Sequence, residues 1–204
     1  AAHGDATRDR LLHDRRPHGD AVVRQLARQA HVDGQDPHGA EVTREGYPRA
    51  VMRRVFPRDE HFMRLALREA AAAPEHGDVP VGCVVVRDGE VVGAAHNERE
   101  VRGDPTAHAE VLALRAAALT LGGWRLPGAV VYCTLEPCPM CAGAIQQARV
   151  ARLVYGAPDQ KVGAAGTVVN PLQDPRLLHR VEVQGGVLAA DALAQLRRFF
   201  DERR

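Results

Sequence analysis

Four residues in the later part of the chain have the types and spacing of a reactive site. His108 and Glu110 sit in Thr106-Ala107-His108-Ala109-Glu110, and Cys138 and Cys141 in Glu136-Pro137-Cys138-Pro139-Met140-Cys141. Both stretches open segments that read as helices. At i and i+3, the two thiols lie on one face of a first helical turn. Unpaired N–H groups and the macrodipole favour negative charge there and lower thiol pKa. One imidazole and two thiolates make three ligands, the count of a catalytic zinc site that leaves a fourth position for water. Glu110 is too near His108 to be a fourth ligand without strain, but it is well placed to take a proton from water activated by the metal. The expected chemistry is hydrolytic. Hydroxide adds to an amidine-like carbon, Glu110 passes the proton to a ring nitrogen and then to the departing amine, and a carbonyl remains.

Other readings of these residues stay open at this point. A lone C-x-x-C also occurs in redox pairs and in halves of structural zinc sites. No second C-x-x-C exists here, and a redox pair leaves His108 and Glu110 without a role. A zinc-stabilised RNA-binding module without catalysis is a further reading. Cys83 and Cys133 lie inside apolar strands and are expected in the core, as free cysteine usually is.

The elements that must position these groups follow from pattern. Asp59 is expected to cap a helix whose apolar face is Phe62, Leu65, Ala66 and Ala70, running to Pro74. Residues 81–87 and 90–95 read as strands joined by Asp88-Gly89, a strong hairpin signal. A helix is expected over 107–121, closed by Gly122-Gly123, then a buried strand over 129–134 and a helix over 139–148. Strands at 150–155 and 180–184 and a helix over 190–203 complete the order. Alternation of this kind implies an α/β layered domain. The Gly- and Pro-containing stretch 158–178 is the longest loop, where binding residues are expected.

Bulk properties narrow the class. The chain has 204 residues, 45% hydrophobic and 26% charged, with a formal net charge of +1. That fits one globular domain plus a tail and gives no global electrostatic mandate, so any basic surface for nucleic acid must be local. No apolar run approaches the roughly eighteen residues of a membrane span. Residues 1–16 are polar and lack the apolar core of a secretory signal. The four cysteines therefore read as reduced thiols or ligands, and the expected compartment is the cytoplasm. Residues 1–57 hold five of the ten histidines and scattered Gly and Pro, with only 21–30 patterned as a short amphipathic helix. They are expected to be a disordered extension, with the zinc domain over 58–204.

The motif H-x-E…P-C-x-x-C, with Val79-Pro80-Val81-Gly82, Asn97, Asp104-Pro105-Thr106 and Leu135 to Ala144, resembles the cytidine deaminase-like superfamily. The later stretch from Asp159 to Gly166, with His179-Arg180-Val181 and Phe199-Phe200, is similar to the bacterial tRNA-specific adenosine deaminases. The resemblance implies a three-layer α/β/α fold around a central mixed five-stranded sheet, and one zinc ion (Zn2+) per subunit. It implies a homodimer that deaminates adenosine to inosine at wobble position 34 of tRNA-Arg(ACG). Asn97 would hydrogen-bond the flipped purine, and Asp159 and Lys161 would meet the anticodon loop. A deaminase of a free base or nucleotide uses the same zinc motif and remains the alternative. Cys83 stands where family members commonly carry Ala.

Overall fold

The computed structural model describes residues 56–203. The short helix expected over 21–30, and the extension it belongs to, lie outside that range. Helix α1 runs Pro57–Ala70, followed by the hairpin β1 (Gly82–Arg87) and β2 (Glu90–His96). Next come a one-turn helix α2 (Arg99–Arg102), α3 (Ala109–Leu121), β3 (Val130–Leu135) and α4 (Pro139–Gln147). Strands β4 (Arg152–Ala157) and β5 (Glu182–Gln184) and helix α5 (Ala189–Asp201) finish the domain. The hairpin turn is the expected one: Asp88 and Gly89 both take positive φ, 54° and 88°.

The strands form one mixed sheet in the order β2-β1-β3-β4-β5. β1 is antiparallel to β2 and β3, and β3, β4 and β5 are mutually parallel. Side chains alternate across the sheet and define two apolar layers. Val84, Val86, Tyr132 and Val154 pack with Phe62, Met63 and Ala66 of α1 and Ala192 of α5. Cys83, Val85, Val131, Cys133 and Leu153 pack on the other face with Ala113 and Ala117 of α3 and Ala142 and Ile145 of α4. The three-layer α/β/α arrangement expected from the resemblance is thus the observed one, and both core cysteines are where their apolar setting placed them.

Gly93 fixes how close α3 lies to the sheet. A Cβ there would fall 2.7 Å from the Ala117 backbone nitrogen, so only glycine permits this approach.

Asp59 is not the cap that was expected. The helix starts at Pro57, and Asp59 stands at its third position, fully buried, accepting the Phe56 N–H at 3.0 Å. Its carboxylate also takes two bonds from Arg152, 2.8 and 3.1 Å, and the Tyr132 hydroxyl at 3.0 Å. It ties α1 to β3 and β4 from inside the core.

Candidate metal centre and cleft

All the segments of interest converge on one edge of the sheet. β3 and β4 are parallel, so Leu135 and Ala157 end side by side, while Gly82 at the start of β1 pairs with His96 at the end of β2. The Gly82 N–H donates to the Thr134 hydroxyl at 3.1 Å, which places both ends of the hairpin at that edge. Open α/β sheets present ligand sites beyond the carboxyl ends of their strands. Here a cleft of about 200 Å³ lies there, lined in part by Val79, Asn97, Arg99, His108, Glu110, Cys138, Asp159 and Val162.

Two helix starts deliver the donor atoms. His108 is the residue before α3 and Cys138 the residue before α4, both in extended backbone, and Cys141 is the third residue of α4. Helix α3 therefore begins two residues later than the apolar pattern suggested, while α4 begins where it was expected. His108 Nδ1 lies 3.8 Å from Cys138 Sγ and 3.5 Å from Cys141 Sγ. Tetrahedral bonds of about 2.3 Å to sulfur and about 2.0 Å to nitrogen put neighbouring S and N ligand atoms about 3.5 Å apart. The spacing and the chemistry of this donor set fit zinc.

The electrostatics agree with that fit. A hydrogen bond from Cys141, reinforced by His108, holds the Cys138 thiol down at about 4, against the cost of burial. The same bond, with burial and the Glu110 charge, pushes Cys141 up. The hydrogen bond to Cys138 raises His108. Glu110, the second residue of α3, is 4% exposed, and desolvation pushes its carboxyl up. A carboxyl raised above its ordinary value is better suited to accepting and returning a proton.

Asn97 is buried at the end of β2, its backbone N–H bonded to the Val81 carbonyl at 2.9 Å, and it lines the cleft. Asp159 lines it too, but its carboxylate turns back on its own loop and accepts the N–H groups of Lys161 (2.8 Å) and Val162 (3.2 Å). Lys161 is exposed and stands outside the cleft lining. Two residues were not singled out from sequence. Arg99 reaches the cleft from α2, an element too short to leave a periodic signal. Glu136, 2% exposed, accepts four bonds from the loop after β4, from the N–H groups of Asp159, Ala165 and Thr167 and from the Thr167 hydroxyl.

The description that matches residues 57–157 is the cytidine and deoxycytidylate deaminase zinc-binding region. The chain is 49% identical over 146 residues to a tRNA-specific adenosine deaminase of Bacillus subtilis (strain 168), covering 72% of this chain and 91% of that one. The chain belongs to the tRNA-specific adenosine deaminase family. A second member, from Agrobacterium fabrum (strain C58 / ATCC 33970), is 46% identical over 71% of this chain and 95% of its own. A solved structure from biochemical and structural studies of A-to-I editing by tRNA:A34 deaminases superposes with a TM-score of 0.62 at 44% identity, over 66% of this chain and 98% of that one. A guanine deaminase from Nitrosomonas europaea superposes with a TM-score of 0.61 at 25% identity, over 74% and 90% of the two chains. Family members are hydrolytic zinc deaminases, and zinc is the cofactor of this one. Among the described residues no helix is long and apolar enough to cross a membrane.

Proposed function

We propose that this deaminase converts adenosine to inosine in a tRNA anticodon loop, at wobble position 34 of tRNA-Arg(ACG). The observation that carries the reading is the reach of the relatedness. A match of 146 residues is longer than the zinc-binding region at 57–157, so it takes in segments beyond the metal motif. The cleft supports it: Val162 and Arg99 are exposed at its lining, within reach of a base presented on a loop. Single-stranded loops are the form in which RNA bases can be splayed out and read.

In this reading His108, Cys138 and Cys141 hold the zinc. Zinc, when bound, acidifies water so that a hydroxide nucleophile is available near neutral pH. Glu110 takes one proton of the attacking water and delivers it to the purine ring nitrogen. It then takes the second, from the hydroxyl added to the ring carbon, and passes it to the amine, which departs as ammonia as the carbonyl forms. Asn97 hydrogen-bonds the extruded base. Arg99 and Lys161 meet anticodon phosphates, and Asp159 shapes the loop that borders them. The enzyme works as a homodimer in the cytoplasm, and residues 1–57 form an extension outside the zinc domain.

A second reading has one observation in its favour: the Nitrosomonas europaea guanine deaminase shares the fold over most of both chains. The deciding experiment incubates the protein with an anticodon stem-loop and, separately, with free adenosine, guanine and cytosine. Ammonia release and inosine in the stem-loop are expected. Turnover of a free base with the RNA unchanged would overturn the proposal in favour of the second reading.

A further inference from the structure

We infer that Glu136 is a positioning residue that shapes the substrate-facing loop from beneath, and that it does so separately from its neighbour Cys138. The inference rests on the reading above only in taking the 159–167 loop to touch substrate.

The geometry is specific. Glu136 Oε1 accepts the Ala165 N–H at 2.9 Å and the Thr167 N–H at 3.0 Å. Oε2 accepts the Asp159 N–H at 3.0 Å and the Thr167 hydroxyl. Four donors meet the roughly four acceptor sites of an ionised carboxylate and leave none over. All come from one loop, so the loop is wrapped around the carboxylate as a chain of donors around an anion. Gly163 at its centre has no room for more: a Cβ there would lie 2.5 Å from Glu136 Oε2. The Ala164 N–H adds a bond to the Pro137 carbonyl at 2.8 Å, so two consecutive residues of the strand-to-helix turn hold the loop. Asp159 and Val162, which line the cleft, owe their positions to this anchor. A buried carboxylate with this many donors is costly to place and strongly resists replacement.

Removing the acceptors should therefore free the loop without dismantling the metal centre. Lys161, the only lysine in the chain, lies within the wrapped segment, so a lysine-specific protease has a single site there. In Glu136→Gln, an amide group faces donors and at least one oxygen's bonds are lost. Cleavage of the native, zinc-loaded protein after Lys161 is expected to accelerate about tenfold or more, because it tracks local opening. KM for the stem-loop is expected to rise about tenfold while kcat changes less than about threefold, with zinc content unchanged. Thr167→Val, which removes one donor, should give a smaller shift in the same two readouts. Where Glu136→Gln yields no folded protein, Thr167→Val, which leaves the carboxylate and the rest of the loop in place, carries both readouts. The inference is overturned if cleavage and KM stay within about twofold in the folded variants, or if zinc is lost while Lys161 stays protected. Should the unsubstituted protein turn over a free base and not the stem-loop, the substrate proposal fails alone. The protease arm is then unaffected, and KM is read on that base.

Discussion

At the scale of residues, one carboxylate, one imidazole and two thiols meet at the site. His108, Cys138 and Cys141 bring nitrogen and sulfur within zinc-binding distance, and Glu110 sits beside them with its carboxyl pushed up by burial. Glu110→Gln keeps size and removes the proton acceptor. Deaminase activity is expected to fall by about 10²–10⁴-fold, with zinc content and fold intact by metal analysis and circular dichroism. Loss of zinc in that variant would assign Glu110 to metal binding instead. Arg99→Ala is expected to raise KM for the stem-loop and flatten its salt dependence, with the log–log slope against salt reduced by about one. An unchanged slope would remove Arg99 from the RNA contacts. The clustering of His108, Cys138 and Cys141 was legible in sequence because its signal is local: an i, i+3 pair of thiols and an imidazole at helix starts. Glu136 was not, because its partners lie 23 to 31 positions downstream and nothing near it in sequence marks them. Arg99 was missed for the same kind of reason, its placement being set by a single turn of helix.

At the scale of elements, the misread residue is the informative one. Asp59 ahead of an apolar run looks like a helix cap, which is a short-range signal. Its partners Tyr132 and Arg152 are 73 and 93 positions away, so its real role depends on strand order that the local pattern does not contain. Burial alone would raise the Asp59 carboxyl, but Arg152, the Phe56 N–H and Tyr132 together bring it below its usual value. A group depressed in the folded state contributes stability that is present above its unfolded value of about 3.9 and lost as pH falls through the folded one. Arg152→Ala should destabilise the domain by about 3–5 kcal/mol at neutral pH, since it leaves a buried charge unpaired. The deficit should shrink as acid protonates Asp59, measured by denaturant unfolding across that range. A deficit that does not vary with pH would show that packing, and not the ion pair, carries the effect. The identities of the longer strands and helices, by contrast, were readable, because residue patterning is a property of each segment alone; the one-turn α2 was not.

For the whole molecule, the cleft exists only when segments near 79, 97, 108, 138 and 159 meet at one sheet edge. Zinc held by His108, Cys138 and Cys141 would link two of those segments, so it would bind the folded chain and stabilise it. At a thousandfold excess over its dissociation constant the gain is about 4 kcal/mol, or on the order of 10 °C in Tm for a domain of this size. Chelation should lower Tm by that order and added zinc should restore it, as followed by calorimetry. A Tm indifferent to chelator would mean the metal contributes nothing to the fold. The direction of α1 adds a practical point. Asp59 near its start is fastened to Arg152, the first residue of β4, whereas Ala70 at its end lies against Gly82 at the cleft edge. The chain thus joins the domain at the end of the sheet opposite the cleft, about 20 Å away at the usual rise per residue of a six-residue strand. An affinity handle or a fused partner joined directly at Phe56, in place of residues 1–55, starts on the far side from the entrance. A tether shorter than that height leaves the entrance clear.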